Sequence, residues 1–388
     1  MTGDAHAPFE FSTAGRVVFG AGTLEQAGEA VSALGRRALV VTTRSGERAS
    51  RLLHLLERLH VAGIRFTVPS EPTIDLVRQG VQQAREYLVE VVVGIGGGSS
   101  LDAAKAVGLL FAQPGDPLEY LEVIGSGRPM TGPGLPVVAI PTTGGTGAEV
   151  TRNAVLASPE HGVKVSLRSH WLLPRLAIVD PELTLGAPAD VTARCGFDAL
   201  TQLVEPFLST RANPLTDGLC REGIRLAGRS LRRAAQLGDE VAAHTDMSLA
   251  ALLSGMALAN AGLGIIHGLA SVLGGLLPAP HGAICARVMS PALRENLSAM
   301  RSRQPDHPAL GRMAELGGIL TGDARAEAAI EWSDRTCDEL GIPRLSAYGL
   351  NESMMAKVIE GAQRASSTRA NPIPLTEGEI ATILRSSM

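Results

Sequence analysis

The stretch Gly94-Ile95-Gly96-Gly97-Gly98-Ser99-Ser100-Leu101-Asp102-Ala103-Ala104-Lys105 constrains this chain more than any other. It follows Val91-Val92-Val93, an apolar run of the kind that forms a buried parallel strand. After it, Leu101, Ala104, Val107 and Phe111 recur at helical spacing. The glycines therefore sit at a strand-to-helix turn. Consecutive glycines let the backbone approach a ligand with no Cβ in the way. Ser99 or Ser100 is expected to cap the helix, whose first N–H groups point at whatever occupies the turn. Such a turn suits a phosphate or a pyrophosphate.

A chain of 388 residues is suited to two domains. Apolar residues make up 45% and aromatics only 3%, so the cores must be aliphatic. A net charge of −4 with no basic run weighs against a nucleic-acid partner. Cys195, Cys220, Cys285 and Cys337 show no CxxC spacing, which argues against a disulfide framework and a zinc knuckle and fits a reducing cytoplasm. Met1 to Glu10 is polar and lacks the apolar core of a signal peptide. Gly255 to Leu277 is apolar except for Asn260, His267 and Ser271, and is long enough to span a bilayer. Its many glycines, its central histidine and the lack of a basic flank read instead as two packed small-residue helices, so no membrane partner is expected.

Residues 1–183 alternate between strand and helix patterns. Strands are expected at Arg16–Phe19, Ala38–Thr42, Ile64–Val68, Val91 onward, Pro136–Ile140 and Leu176–Val179. Thr23-Leu24-Glu25-Gln26 fits a capping box opening a helix to about Leu34, and helical spacing recurs through Leu52–Leu59 and Ile74–Ala84. This rhythm predicts an α/β domain with a parallel sheet. From Thr184 the strand pattern stops, and runs at 189–209, 215–236, 241–260, 264–277, 308–320, 325–340 and 351–363 read as helices. Residues 184–388 are thus expected to form an all-α domain, with Pro181 and Pro188 framing the junction.

Gly20-Ala21-Gly22 looks like the start of a dinucleotide fingerprint, but its sixth position is Glu25, so the turn at Gly94–Ser99 is the better candidate. After Val40-Val41 the chain offers Thr42-Thr43-Arg44-Ser45, with no acid and with an adjacent arginine. That pattern leans toward NADP, because a carboxylate there would hydrogen-bond the NAD ribose. A second loop, Pro141 to Thr151, follows the Pro136–Ile140 strand with hydroxyls and glycines suited to wrapping the same cofactor. At the carboxyl ends of parallel strands both loops would face one crevice.

In the second half, Asp198, Gln202 and Glu205 share a helix face by i, i+4, i+7 spacing. His267 lies in the apolar glycine-rich stretch, where a histidine needs a partner, and His281 follows in Pro280-His281-Gly282. One carboxylate and two imidazoles make a divalent site for iron or zinc. His6, His54, His60, His161, His170, His244 and His307 sit in polar contexts and are given no role.

Together these features resemble the iron-containing, group III alcohol dehydrogenases, of dehydroquinate synthase-like fold. Gly96 to Lys105 matches that family's GGGSxxDxxK loop, Pro141 to Thr151 its PTTxGTGxEVT loop, and Ala177 to Thr184 the strand leading to its domain junction. Gly196-Phe197-Asp198-Ala199-Leu200-Thr201 resembles its metal helix, and His267-Gly268 and Pro280-His281-Gly282 its two further ligand motifs. Asn371-Pro372 and Thr376 are similar to its C-terminal segment. The resemblance implies a dinucleotide-binding domain binding NAD or NADP, a helical metal domain, catalysis between them, and a cytoplasmic enzyme that is often dimeric. It places Gly96, Gly97, Gly98, Ser99, Asp102, Thr142, Thr143, Thr146 and Lys164 at the cofactor. It makes Asp198, His267 and His281 metal ligands, with the two histidines as the catalytic candidates. Gln202 stands where the family commonly has a histidine; its amide oxygen can ligate, though weakly compared with imidazole. Ser271 stands where the family commonly has another histidine, a candidate proton relay.

The reading that follows is an NAD(P)-dependent alcohol dehydrogenase or aldehyde reductase for small aliphatic substrates, assisted by iron or zinc. One alternative is a metal-independent reductase similar to the maleylacetate reductases, in which His267 or His281 acts as general acid. Another, suggested by Gln202 and Ser271, is a cofactor-binding protein with weakened catalysis. A dehydroquinate synthase-like cyclisation would need a basic phosphate pocket; Arg221, Arg225, Arg229, Arg232 and Arg233 look instead like a solvated helix face.

Overall fold

The computed structural model describes residues 8–44, 46–161 and 163–388. Most of the polar Met1–Glu10 stretch, with His6, lies outside the described residues, as does Ser45. The chain divides into two compact units: Thr13–Leu185, and Gly186–Met388 together with the segment ending at Ser12.

The first unit runs β1 (Val17–Phe19), α1 (Ala27–Ser32), β2 (Arg37–Thr42), α2 (Glu47–Arg58), β3 (Ala62–Thr67), α3 (Ile74–Glu86), β4 (Val91–Gly96), α4 (Gly98–Leu110), β5 (Val137–Pro141), β6 (Asn153–Ser158), β7 (Val163–Arg168) and β8 (Leu176–Val179). Six strands form one sheet in the order β1-β8-β5-β4-β2-β3, and every pairing is parallel. Helices cover both faces. Val92 packs into one core with Ala103, Ala104 and Val107 of α4, while Val91 and Val93 pack into the other with Leu52 and Leu56 of α2. Burial on both sides is why these strands read as continuous apolar runs rather than alternating ones. From β2 the chain runs on to β3 on one side, and from β4 to β5 on the other. The topological switch therefore lies between β2 and β4, the place where sheets of this kind bind ligands.

Three local expectations are corrected. Thr23–Gln26 is a 3₁₀ turn with no side-chain cap of its own; the Asp180 carboxylate, beyond β8, accepts from Gly22 N and Leu24 N instead. Neither Ser99 nor Ser100 caps α4: Gly97 occupies that position, extended and with no side-chain cap. The antiparallel β6–β7 hairpin was not expected; its Ala154, Leu156, Val165 and Leu167 join the α4 core.

The second unit is helical throughout its described residues: α5 (Ala189–Leu208), α6 (Pro214–Gln236), α7 (Val241–Ala261), α8 (Ile265–Leu276), α9 (His281–Arg303), α10 (Pro308–Thr321), α11 (Ala326–Glu339), α12 (Met355–Arg364) and α13 (Glu377–Ser387), joined by 3₁₀ turns. Phe197, Leu200, Leu203 and Phe207 of α5 lie at its aliphatic core. The apolar stretch from Gly255 breaks at Gly262, which adopts φ +74°, so α7 and α8 are separate helices. Among the described residues α7 alone is long and apolar enough to cross a membrane; it packs against α5 and α6. Helices α9 and α13 go beyond the expected set. α9 starts directly after Pro280 with no capping side chain and contains Pro291.

Candidate functional site

Two groups of predicted residues come together, one in each unit. In the α/β unit, β4 ends at Gly96 and α4 begins at Gly98. The first N–H groups of a helix have no acceptor within it, so this end is suited to an anion. No acidic side chain lies in the first turn. Thr142 N donates to Gly96 O at 2.9 Å, which ties the second loop to the glycine turn. A Cβ on Gly98 would stand 2.8 Å from Thr146 Cγ2 and 3.0 Å from Thr146 Oγ1, so only glycine lets the loop close over the helix. Thr143 Oγ1 would lie 3.5 Å from a Cβ on Gly97. Gly96, Gly97, Gly98, Thr142, Thr143 and Thr146 are therefore one cluster, with Ser99 in the helix's first turn.

Asp102 and Lys105 hold that cluster from behind. Lys105 is fully buried, with Nζ 2.9 Å from Ala148 O, 3.0 Å from Thr151 Oγ1, 2.5 Å from Asn153 O and 3.0 Å from Asp102 Oδ1. The other Asp102 oxygen accepts from Val155 N at 3.0 Å. One Asp102 oxygen thus joins α4 to β6, while the other holds Lys105 within α4. Lys164, on β7, pairs with Glu71 at 2.7 Å. Arg44, just after β2, is exposed.

In the helical unit, α5, α8 and α9 bring Asp198, His267 and His281 together. Asp198 Oδ1 is 3.5 Å from His267 Nε2 and 3.6 Å from His281 Nε2. That oxygen is buried with no hydrogen-bond partner, a costly arrangement unless something else satisfies it. Behind His267, Glu205 Oε2 lies 2.5 Å from Nδ1 while Glu205 Oε1 accepts from Ile266 N at 2.6 Å. Glu205 thereby holds the ring with Nε2 facing Asp198, the usual outer-shell support of a ligating histidine. The α8 start is fixed further by Asn371 Oδ1, which accepts from Ile265 N at 3.1 Å. Gly282 allows α9 to approach α5: a Cβ there would fall 2.1 Å from Arg194 O, one turn before Asp198.

Gln202 lines the site, but its Oε1 accepts from the Ser254 hydroxyl at 3.0 Å. Ser271 is exposed, and its hydroxyl donates to Gly268 O at 2.9 Å. Cys285, to which no sequence motif assigns a role, joins the cluster: its Sγ lies 3.6 Å from His281 Nε2 and 3.9 Å from His267 Nε2. The signal was its position four residues after His281, visible only once α9 is known to start there.

Burial opposes charge on Asp198, but His281, His267 and Gln202 outweigh it and hold the carboxyl below its usual range. Burial likewise opposes charge on Cys285, yet His281 and His267 bring the thiol below its usual value. In return His267, against its own burial, is carried well above the ordinary imidazole range by Cys285, Glu205 and Asp198. Cys285 raises His281 against burial, with Asp198 adding to the effect. A buried set of anionic donors requires positive charge nearby, which protons on the imidazoles or a divalent ion can supply. The unpartnered Asp198 oxygen and two convergent Nε2 atoms fit a metal ion.

The family described as "Iron-containing alcohol dehydrogenase" matches residues 14–181, and "Fe-containing alcohol dehydrogenase family, C-terminal" matches residues 192–388. A 1,3-propanediol dehydrogenase from Klebsiella pneumoniae is 37% identical over 376 residues, 95% of either chain. A crystal structure of a 1,3-propanediol oxidoreductase superposes with a TM-score of 0.91 at 35% identity, covering 98% of this chain and all of the other. A sulfoacetaldehyde reductase from Bifidobacterium kashiwanohense, solved in complex with NAD⁺, gives a TM-score of 0.87 at 26% identity over 98% of this chain and 99% of that one. With both halves matched and the whole length similar to such relatives, this chain belongs to the iron-containing alcohol dehydrogenase family.

Proposed function

We propose that this protein is a metal-dependent, NAD(P)-linked oxidoreductase that interconverts a small aliphatic alcohol and its aldehyde. The observation that carries the metal-dependent reading is the buried Asp198 Oδ1, without a hydrogen-bond partner and facing His267 and His281. A divalent ion at that centre supplies Lewis-acid polarisation of the substrate oxygen. Asp198, His267 and His281 would hold the ion, and Glu205 fixes the tautomer and tilt of His267. The glycine turn, with Gly97, Gly98, Ser99 and the threonines of the second loop, would hold the cofactor diphosphate. Asp102 and Lys105 keep the loop and helix in register without needing to touch it. Exposed Arg44 after β2, with no acid at that strand end, favours NADPH over NADH. The convergent donor set argues against a metal-independent reductase and against a protein that only binds cofactor.

The test is NADPH and NADH oxidation across a panel of short aldehydes and 2-oxo acids, with metal content measured alongside. Turnover of aldehydes is expected, faster with NADPH. His281→Ala should lower kcat/KM by about two orders of magnitude or more, the scale of losing one charge-stabilising group. Stoichiometric NADPH binding with no turnover across the panel would overturn the proposal.

A further inference from the structure

Cys285 has no cysteine at CxxC spacing, yet it stands one helical turn beyond His281 on α9, with its sulfur among donors from two other helices. We propose that Cys285 is a fourth protein ligand at this centre, and that the set Asp198, His267, His281 and Cys285 selects zinc over ferrous iron. The inference rests on the metal-dependent reading above.

Geometry carries it. One donor atom from each of the four residues can be chosen so that all lie within 4.8 Å of one another. Four of the six edges run from 3.5 to 3.9 Å. A tetrahedron with zinc–nitrogen, zinc–oxygen and zinc–sulfur bonds of about 2.0–2.3 Å has edges of about 3.3–3.7 Å, so only small side-chain movements are needed. The buried Asp198 oxygen without a hydrogen-bond partner points into the same space.

Gln202, the other polar side chain lining the set, is the weaker donor. Its amide oxygen already receives the Ser254 hydroxyl and binds a metal less strongly than a thiolate, so Cys285 is the stronger fourth ligand. Chemistry then sets the preference. Thiolate with imidazole suits zinc, whereas ferrous sites outside clusters are built from imidazole and carboxylate. One carboxylate and one thiolate also balance a divalent ion, and on the exposed His281 side a substrate oxygen would join the set as a fifth donor.

The experiment uses the full chain, stripped of metal and reloaded with cobalt(II), an optical stand-in for zinc. The parent should show an intense near-ultraviolet sulfur-to-cobalt charge-transfer band. Cys285→Ala should lose that band and bind zinc at least about 100-fold more weakly, beyond what loss of a supporting residue costs. Cys285→Ser, nearly equal in volume, guards against a folding defect and should lose the band as well. Gln202→Ala should keep it. Protein expressed with equal iron and zinc should carry zinc. A cobalt complex with visible ligand-field bands but no sulfur band overturns the role of Cys285 while leaving the metal-dependent reading intact. Failure of the parent to bind cobalt or zinc overturns both.

Discussion

At the scale of single residues, the metal centre depends on side chains that never need to touch an ion. Glu205 accepts from the α8 backbone with one oxygen and holds the His267 ring with the other. Glu205→Gln keeps the shape but weakens that grip, and should lower metal affinity by about 10–100-fold, as read by competition with a chromophoric chelator. Glu149, in the second loop, shows a different residue-scale effect. Burial raises its carboxyl pKa to about 7, although its own backbone N–H and Lys105 pull the other way. The folded protein therefore binds this proton more tightly than the unfolded chain does. The stabilisation is fully present below about pH 4.5 and is lost as pH rises through about 7, a swing of about 3 kcal/mol. Glu149→Gln should flatten that dependence. Urea midpoints should place the variant above the parent at pH 8, with the gap closing toward pH 5. A constant gap across that range would show that Glu149 ionises normally.

At the scale of elements, the motifs are places where two pieces of backbone come closer than a side chain permits. Gly282 lets the first turn of α9 lie on α5. Gly282→Ala would push α9 away and carry His281 and Cys285 off Asp198 without altering any donor. Metal affinity should fall at least about tenfold, while far-UV circular dichroism stays that of a helical protein. Unchanged affinity would mean that the helix pair tolerates the methyl group. This scale also explains what could be read beforehand. β2, β4 and β5 are buried on both faces and leave unbroken apolar runs. The hairpin β6–β7 is buried on one face only and is built partly from serine, asparagine and alanine, so its period-two pattern is faint. α9 lacks a capping side chain and contains Pro291, two features that mask a helix. Because α9 was hidden, so was the turn that sets Cys285 beside His281. Asp198, Gln202 and Glu205 were legible because α5 has a plain helical period. That Glu205 serves His267, and that Gln202 faces Ser254, depends on contacts between distant segments that no local pattern encodes.

At the scale of the whole molecule, each unit carries one half of the chemistry. The α/β unit offers a glycine turn at the switch of a parallel sheet, and the helical unit offers a donor set, with Asp198, His267 and Cys285 buried and His281 exposed, that calls for a cation. An ion that binds only the folded state should also stabilise the helical unit. A chelator should lower its melting temperature, and zinc should restore it, as binding linkage requires. The decisive assay is the NADPH-dependent aldehyde reduction rate of protein shown by elemental analysis to be free of metal, measured before and after readdition of zinc or iron. Loss of turnover on removal and its recovery on readdition are expected; an undiminished rate in the metal-free protein would contradict the metal-dependent reading.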